Sequence, residues 1–111
     1  MAALRYNIQL DQGSDYQLVW PVVNAAGQAQ SLSGWSGALQ VRSNPTSEDT
    51  LVDLTGRLVL SGSNVTLTVP GNVSSDWEWR TGIYDLELTS NTGVVTRVCQ
   101  GRFTVSAEVT R

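Results

Sequence analysis

Apolar and polar residues alternate along most of this chain with a period of two. Tyr6, Ile8 and Leu10 alternate with Asn7, Gln9 and Asp11. A strand with one buried face reads this way, because successive side chains point to opposite sides. The stretch DQGSD makes a turn, and Tyr16, Leu18, Trp20 and Val22 then form a second apolar face. Pro21 has no N–H to give to a ladder, so this strand ends there or lies at an edge. NAAGQ turns the chain again, and Trp35, Leu39 and Val41 mark a third strand. SNPTSED is a polar loop in which Pro45 blocks regular structure, and Leu51 to Leu54 reads as a short strand. Leu58 and Leu60, then Val65, Leu67 and Val69, bracket SGSN as a hairpin. In SSDWEW, Ser75 stands three residues before Glu78, a capping-box spacing. No apolar helical run follows, so a single helical turn is expected there.

The most regular stretch runs from Tyr84 to Val105, YDLELTSNTGVVTRVCQGRFTV. Asn91-Thr92-Gly93 fits a three-residue hairpin loop with Gly93 in the left-handed region. That loop pairs Thr89 with Val95, Glu87 with Arg97 and Leu86 with Val98. Opposite charges then meet on the wet face, an interaction worth roughly 0.2–1 kcal/mol. The dry face continues at Phe103 and Val105, an odd step from Val98, and Gly101 between them is the expected β-bulge. In this register Cys99 faces solvent opposite Asp85.

Short strands with turns about every ten residues, and no helix of useful length, predict an all-β fold. The expectation is one domain over residues 1–111, an immunoglobulin-like antiparallel β-sandwich of seven or eight strands. Tyr84 in GIYDL adds to it. In such sandwiches a Tyr near the start of the sixth strand hydrogen-bonds across a corner, two residues before a core position. Tyr84 as plain core filler is the competing reading. No Cys pair joins the sheets, so packing must. At about 1.5–3 kcal/mol per buried large apolar side chain, a dozen such residues suffice.

Composition narrows the chemistry. The net charge is −3, and all seven basic residues are Arg, scattered from Arg5 to Arg111. A binder of phosphate backbones needs a basic stripe, so no nucleic-acid partner is expected. The chain has no His, and Cys99 is its one Cys. The commonest general acid–base group and the usual zinc ligand sets are therefore missing, and no metal or cofactor is expected. A lone Cys fits a reducing compartment. MAALRYNIQL carries no signal-peptide pattern and no stretch reaches 18 apolar residues, so no membrane partner is expected.

Trp77 and Trp79 are the foremost interface or ligand candidates. Their rings point the same way if the segment is extended and diverge if it is helical. Three readings stand: a cap over the end of the sandwich, a protein interface, or a platform for sugar. Trp20 and Trp35 belong to the core. Glu48 and Asp49 could hold a cation from their loop, although solvated loop charges are the simpler reading. Asp11 and Asp15 are explained by turn chemistry, and Asp85 and Glu87 are outward strand positions. The triplets Asn64-Val65-Thr66 and Asn72-Val73-Ser74 match a glycosylation acceptor but have no meaning without a secretory signal. No G-x-S-x-G elbow and no Gly-rich phosphate loop occurs, so no catalytic residue is assigned.

The run YNIQLDQGSDYQLVWPVVNAAGQAQSLSGWSGALQVR, followed by GIYDLELTSNTGVVTRVCQGRFTVSAEVTR, resembles small virion proteins of tailed bacteriophages and prophages. Leu32-Ser33-Gly34-Trp35 leading into Leu39-Gln40-Val41-Arg42 is similar to their early strands. Tyr84-Asp85-Leu86-Glu87-Leu88, Gly101 and Val109-Thr110-Arg111 are similar to their last hairpin. The layout is also that of the N-terminal module of phage upper-baseplate and tail-fibre proteins. The resemblance implies a non-catalytic structural protein located in the virion and assembled in the bacterial cytoplasm. Its implied role is capsid decoration, head–tail or baseplate component, or fibre attachment. The implied partners are other virion proteins and further copies of the chain. A sequence ending at Arg111 favours a stand-alone piece over a fibre, with Arg111 a candidate for pairing with a neighbour. A carbohydrate-binding module using Trp77 and Trp79 is the alternative.

Overall fold

The computed structural model describes residues 3–109. Two sheets face each other. The larger has the order β1-β9-β8-β4-β5, with β2 also paired to β9, and the smaller has the order β3-β7-β6. The strands are β1 (Leu4–Arg5), β2 (Ile8–Asp11), β3 (Tyr16–Pro21), β4 (Ser36–Arg42), β5 (Thr50–Asp53), β6 (Leu58–Ser61), β7 (Asn64–Val69), β8 (Thr81–Thr89) and β9 (Val95–Ser106). One short helical turn, α1, covers Gly71–Ser74, and a 3-10 turn covers Thr55–Arg57. This is the all-β sandwich that the alternation predicts.

The inner faces follow the period of two. Leu39 and Val41, Tyr84, Leu86 and Leu88, and Cys99, Phe103 and Val105 line the large sheet; Trp20, Val65, Leu67 and Val69 line the small one. Ile8 and Leu10 close one side, and Leu32 and Leu54 plug the core from loops. Trp35 packs half-buried against this core just before β4. Pro21 satisfies both expectations for it, since it ends β3 and β3 is an edge strand. The hairpin of β6 and β7 turns through Gly62 and Ser63, within the SGSN stretch.

The N-terminal strand departs from the expected antiparallel pairing. Leu4 and Arg5 pair in parallel with Cys99 and Gln100, and Ile8 to Asp11 pair in parallel with Phe103 to Ser106. The register offset is the same in both pieces, so β1 and β2 are one strand interrupted at Tyr6 and Asn7. At the interruption the Asn7 Oδ1 accepts the Arg102 N–H at 3.0 Å, a side chain standing in for a ladder carbonyl. Counting that strand once reduces the nine assigned strands to eight. Alternation of polar and apolar residues carries no information about strand direction, which is why the sequence could not show this.

The β8–β9 hairpin begins in the expected register. Thr89 pairs with Val95 and Glu87 with Arg97, and Gly93 has φ +89°. The bulge lies at Val98, not at Gly101, because Leu86 pairs with Cys99 rather than with Val98. Cys99 is therefore buried against the core instead of facing solvent opposite Asp85. The odd step in the dry face is absorbed at Val98, and Cys99, Gly101, Phe103 and Val105 then alternate without a break. Gly101 serves another purpose: a Cβ there would collide with the Tyr6 carbonyl oxygen. Only glycine lets the N-terminal strand lie that close.

Tyr84 is buried in the core, and its hydroxyl donates to the Tyr6 carbonyl at 2.6 Å, with Cys99 Sγ at 3.3 Å. The expected bond across a corner is thus a bond to the interrupted N-terminal strand. The expected turn at Ser75 is displaced: α1 lies just before it, opened by Pro70, and Ser75 is its C-cap. Leu54 is buried but follows β5, whose strand is Thr50–Asp53.

Burial, followed by the contact with Cys99, pushes the Tyr84 phenol far above its usual pKa of 10.0. The folded state therefore favours the neutral phenol, while the unfolded chain ionises it near pH 10. The stabilisation is complete below pH ~10 and is lost as pH rises above that value. Tyr84→Phe is expected to cost about 1–2 kcal/mol at pH 7 and to flatten the alkaline loss of stability. Urea unfolding at pH 7 and from pH 9 to 11 measures both. Gly101→Ala is expected to detach the N-terminal strand, read as faster amide exchange at Ile8 and Leu10 with β4 and β8 still protected.

Candidate functional site

Trp77 and Trp79 lie in the irregular segment between α1 and β8, and their rings fall on one side. They stack, with centroids 5.1 Å apart and planes at 25°. Each meets Phe103 edge-on, at 6.2 Å for Trp77 and 5.5 Å for Trp79. Offset and edge-to-face contacts are the favoured geometries for ring quadrupoles. The pair caps one end of the sandwich, half-buried, with Phe103 as its floor. The Trp79 indole N–H is buried without a hydrogen-bond partner among the described residues. Such a group costs about 1–3 kcal/mol, so ring packing holds Trp79 in place rather than its polar handle.

Gln12 fixes this end. Its Nε2 lies 3.1, 3.3 and 2.7 Å from the carbonyl oxygens of Ser74, Ser75 and Trp77, and shares its two N–H bonds among them. Its Oε1 accepts the Glu108 N–H at 3.2 Å. Beside it the Gly13 N–H donates to Ser74 Oγ, and the Gly71 N–H donates to Asp15 Oδ1 at 2.8 Å. The turn joining β2 to β3 is thereby tied to the segment that carries the two indoles. A shallow cleft here is lined by Gln12, Ser75, Asp76, Trp77, Glu78, Arg80 and Glu108. Gln12 was not legible as a candidate, because a Gln in a turn has no sequence signature for contacts more than 60 residues away. The third candidate, Arg111, lies outside the described residues.

The outer face of the large sheet brings together arginines that are far apart in the chain. Arg102, Ile83 and Arg42 are aligned across β9, β8 and β4, and Arg5, Gln100, Asp85, Gln40 and Asp53 form the next row. Arg97 Nε pairs with Asp85 Oδ2 at 3.2 Å, not with the directly opposed Glu87, and its guanidinium also donates to Gln100. The bulge at Val98 shifts the partner. Arg42 donates to Gln40 Oε1 and to the carbonyls of Ser47 and Glu48, pinning the loop after β4. Hydrogen bonds from the Thr55 hydroxyl and N–H hold the Asp53 carboxyl below its usual range. Two bonded groups cross this face, Asp53–Gln40–Arg42 and Asp85–Arg97–Gln100, while Arg5 and Arg102 stand exposed beside them. Both ion-pair partners are partly exposed, so the pair contributes at most about 1 kcal/mol.

The small sheet differs. Its strands, β3, β6 and β7, contain no charged residue, whereas β1, β2, β4, β5, β8 and β9 each contain at least one. Val19 and Val59 face outward from it and are 46% and 60% exposed. Val94 and Val95 at the β8–β9 hairpin tip are each 60% exposed, and Leu4 and Tyr6 are exposed beside β9. Among the described residues no three His, Cys, Asp or Glu side chains gather as a metal site. Glu48 and Asp49 sit exposed in their loop, and the Glu48 carbonyl is engaged by Arg42. Among the described residues no helix is long and apolar enough to cross a membrane.

Gln12→Ala is expected to destabilise the fold by about 1–3 kcal/mol, because several carbonyls lose their donor at once. Trp emission should shift to the red as the Trp77 ring loosens. Urea unfolding followed by fluorescence measures both.

No family model matches the chain, and no curated protein matches it in sequence. Among solved structures, the crystal structure of Dscam1 isoform 4.44, N-terminal four Ig domains, superposes with a TM-score of 0.51 at 18% identity. The match covers 97% of this chain and 24% of that one, so the chain spans about a quarter of its length. At this identity the likeness speaks for the fold alone, and the fold is an immunoglobulin-like β-sandwich.

Proposed function

We propose that this protein is a non-catalytic structural component of a tailed-phage virion, acting by contact among its own copies and with other virion proteins. The observation that carries the reading is where its exposed apolar groups lie. Val94 and Val95 at the hairpin tip, Val19 and Val59 on the small sheet, and Leu4 and Tyr6 beside β9 point outward from separate surfaces. A small-molecule site gathers apolar groups in one concavity. A subunit touching several neighbours distributes them. On the large sheet Asp53, Gln40 and Arg42 are bonded to one another, as are Asp85, Arg97 and Gln100, and the buried Ser74 hydroxyl is held between the Gly13 N–H and the Gly71 carbonyl. The placement in a virion rests on the resemblance of the early strands and last hairpin to phage structural proteins. Capsid decoration, head–tail or baseplate component, and fibre attachment are all compatible with such a subunit.

The cleft at Trp77 supports a second reading, in which the cap binds sugar. An indole beside carboxylates, an amide and a guanidinium has both the stacking surface and the hydrogen-bonding groups that a glycan uses.

The purified protein is expected to bind saturably to phage particles that lack it, and a mass-spectrometric inventory of complete virions should contain it in many copies. Absence from the virion together with no binding to particles would overturn the reading. In the sugar reading, glycans quench Trp emission and Trp77→Ala abolishes the effect, without any particle.

A further inference from the structure

The outer face of the small sheet has a composition unlike the rest of the surface. Its outward positions are Gln17, Val19 and Pro21 on β3, Asn64, Thr66 and Thr68 on β7, and Val59 and Ser61 on β6. Both edge strands, β3 and β6, are without charge. Proteins ordinarily guard such edges with charged side chains. Val19 pairs with Thr66, and Thr66 pairs with Val59, so the three side chains form one ridge straight across the sheet. On one side of the ridge lie Gln17 and Thr68; on the other lie Pro21, Asn64 and Ser61.

We infer that this face is a self-association surface, on which a second copy of this chain packs sheet against sheet about a twofold axis. Charge argues for a second copy as the occupant. The chain carries a net charge of −3, so two copies repel wherever their acidic surfaces meet. Among the sheet faces, this is the one whose strands carry no charge, with Arg57 just before β6 at its margin beside Thr68. A strongly charged partner would gain nothing from it. A ridge of Val, Thr and Val flanked by hydroxyl and amide rows is also self-complementary, as an isologous contact requires. With the axis through the ridge, each copy's Thr66 faces its counterpart and every valine lies on a valine.

The size of the face sets the strength. Three strands about 4.8 Å apart and six residues about 3.4 Å each give a footprint of roughly 300 Å². A standard stable interface covers about 800 Å² per partner. The contact is therefore weak between free molecules and becomes effective when neighbours hold the copies at high local concentration. The inference rests on the reading of the domain as a contact module. It fails separately from that reading, because particle binding and self-association are measured independently.

Sedimentation equilibrium up to ~1 mM protein, together with amide NMR shifts on dilution, tests the inference. The expected result is concentration-dependent dimerisation with shifts centred on Val19, Val59 and Thr66. Val59→Arg and Thr66→Arg should each weaken it by about tenfold or more, since each buries an unpaired charge against its counterpart. Ser43→Arg, in the exposed loop after β4 on the other sheet, adds the same charge and should leave it unchanged. Identical thermal melts confirm that the variants fold, and Val59→Ala, with a smaller loss, serves if an arginine variant does not. A protein monomeric to ~1 mM overturns the inference. So does a dimer that survives Val59→Arg, or one that Ser43→Arg weakens equally.

Discussion

The structure depends on β9 being paired along both edges. On one side it forms the long antiparallel ladder with β8; on the other it receives the N-terminal strand in parallel. Parallel pairing brings the first described strand beside the last and makes every other element the connection between them. Such a closure orders the whole domain at once, and it forms only if the two backbones can approach. The absence of a Cβ at Gly101 allows the approach, and the Tyr84 hydroxyl holds the Tyr6 carbonyl once it is made. The Asn7 side chain repairs the ladder where the strand is interrupted.

The same closure builds the aromatic end. Because β2 runs beside the end of β9, the turn that follows it lies next to α1 and the Trp77–Trp79 segment. Gln12 then reaches carbonyls on the far side of the sequence. Phe103, on β9 opposite Ile8, is the floor beneath both indoles. The cap is thus a consequence of the parallel strand pair. Its stacked rings both rest edge-on against Phe103.

Charge is partitioned between the two sheets. The large sheet carries arginines and acids in rows, in which Arg42 is bonded to Gln40 and anchors the loop after β4, and Arg97 is bonded to Asp85 and Gln100. The small sheet carries none and presents threonines, amides and valines. That division is what the proposed contact among copies of the chain would draw on.

The period-two alternation by itself determined the fold class, the approximate position of most strands, and the hairpin register through Glu87 and Arg97. These are local properties, because side-chain direction along a strand depends only on parity and Gly93 fixes its own turn. The composition, with no His and one Cys, leaves the chain without the commonest general acid–base group and the usual zinc ligand sets. Other features came only from the tertiary structure. A bulge is a relation between two strands, so Val98 rather than Gly101 takes it, and Cys99 turns inward with it. The direction of the N-terminal strand, the stacking of Trp77 on Trp79 over Phe103, and the Gln12 bonds each join residues far apart in the chain. The rows of arginine on one sheet and the Val19–Thr66–Val59 ridge on the other are juxtapositions of separate strands. Alternation says which side of a strand is buried, but only pairing decides which residues of different strands stand next to one another.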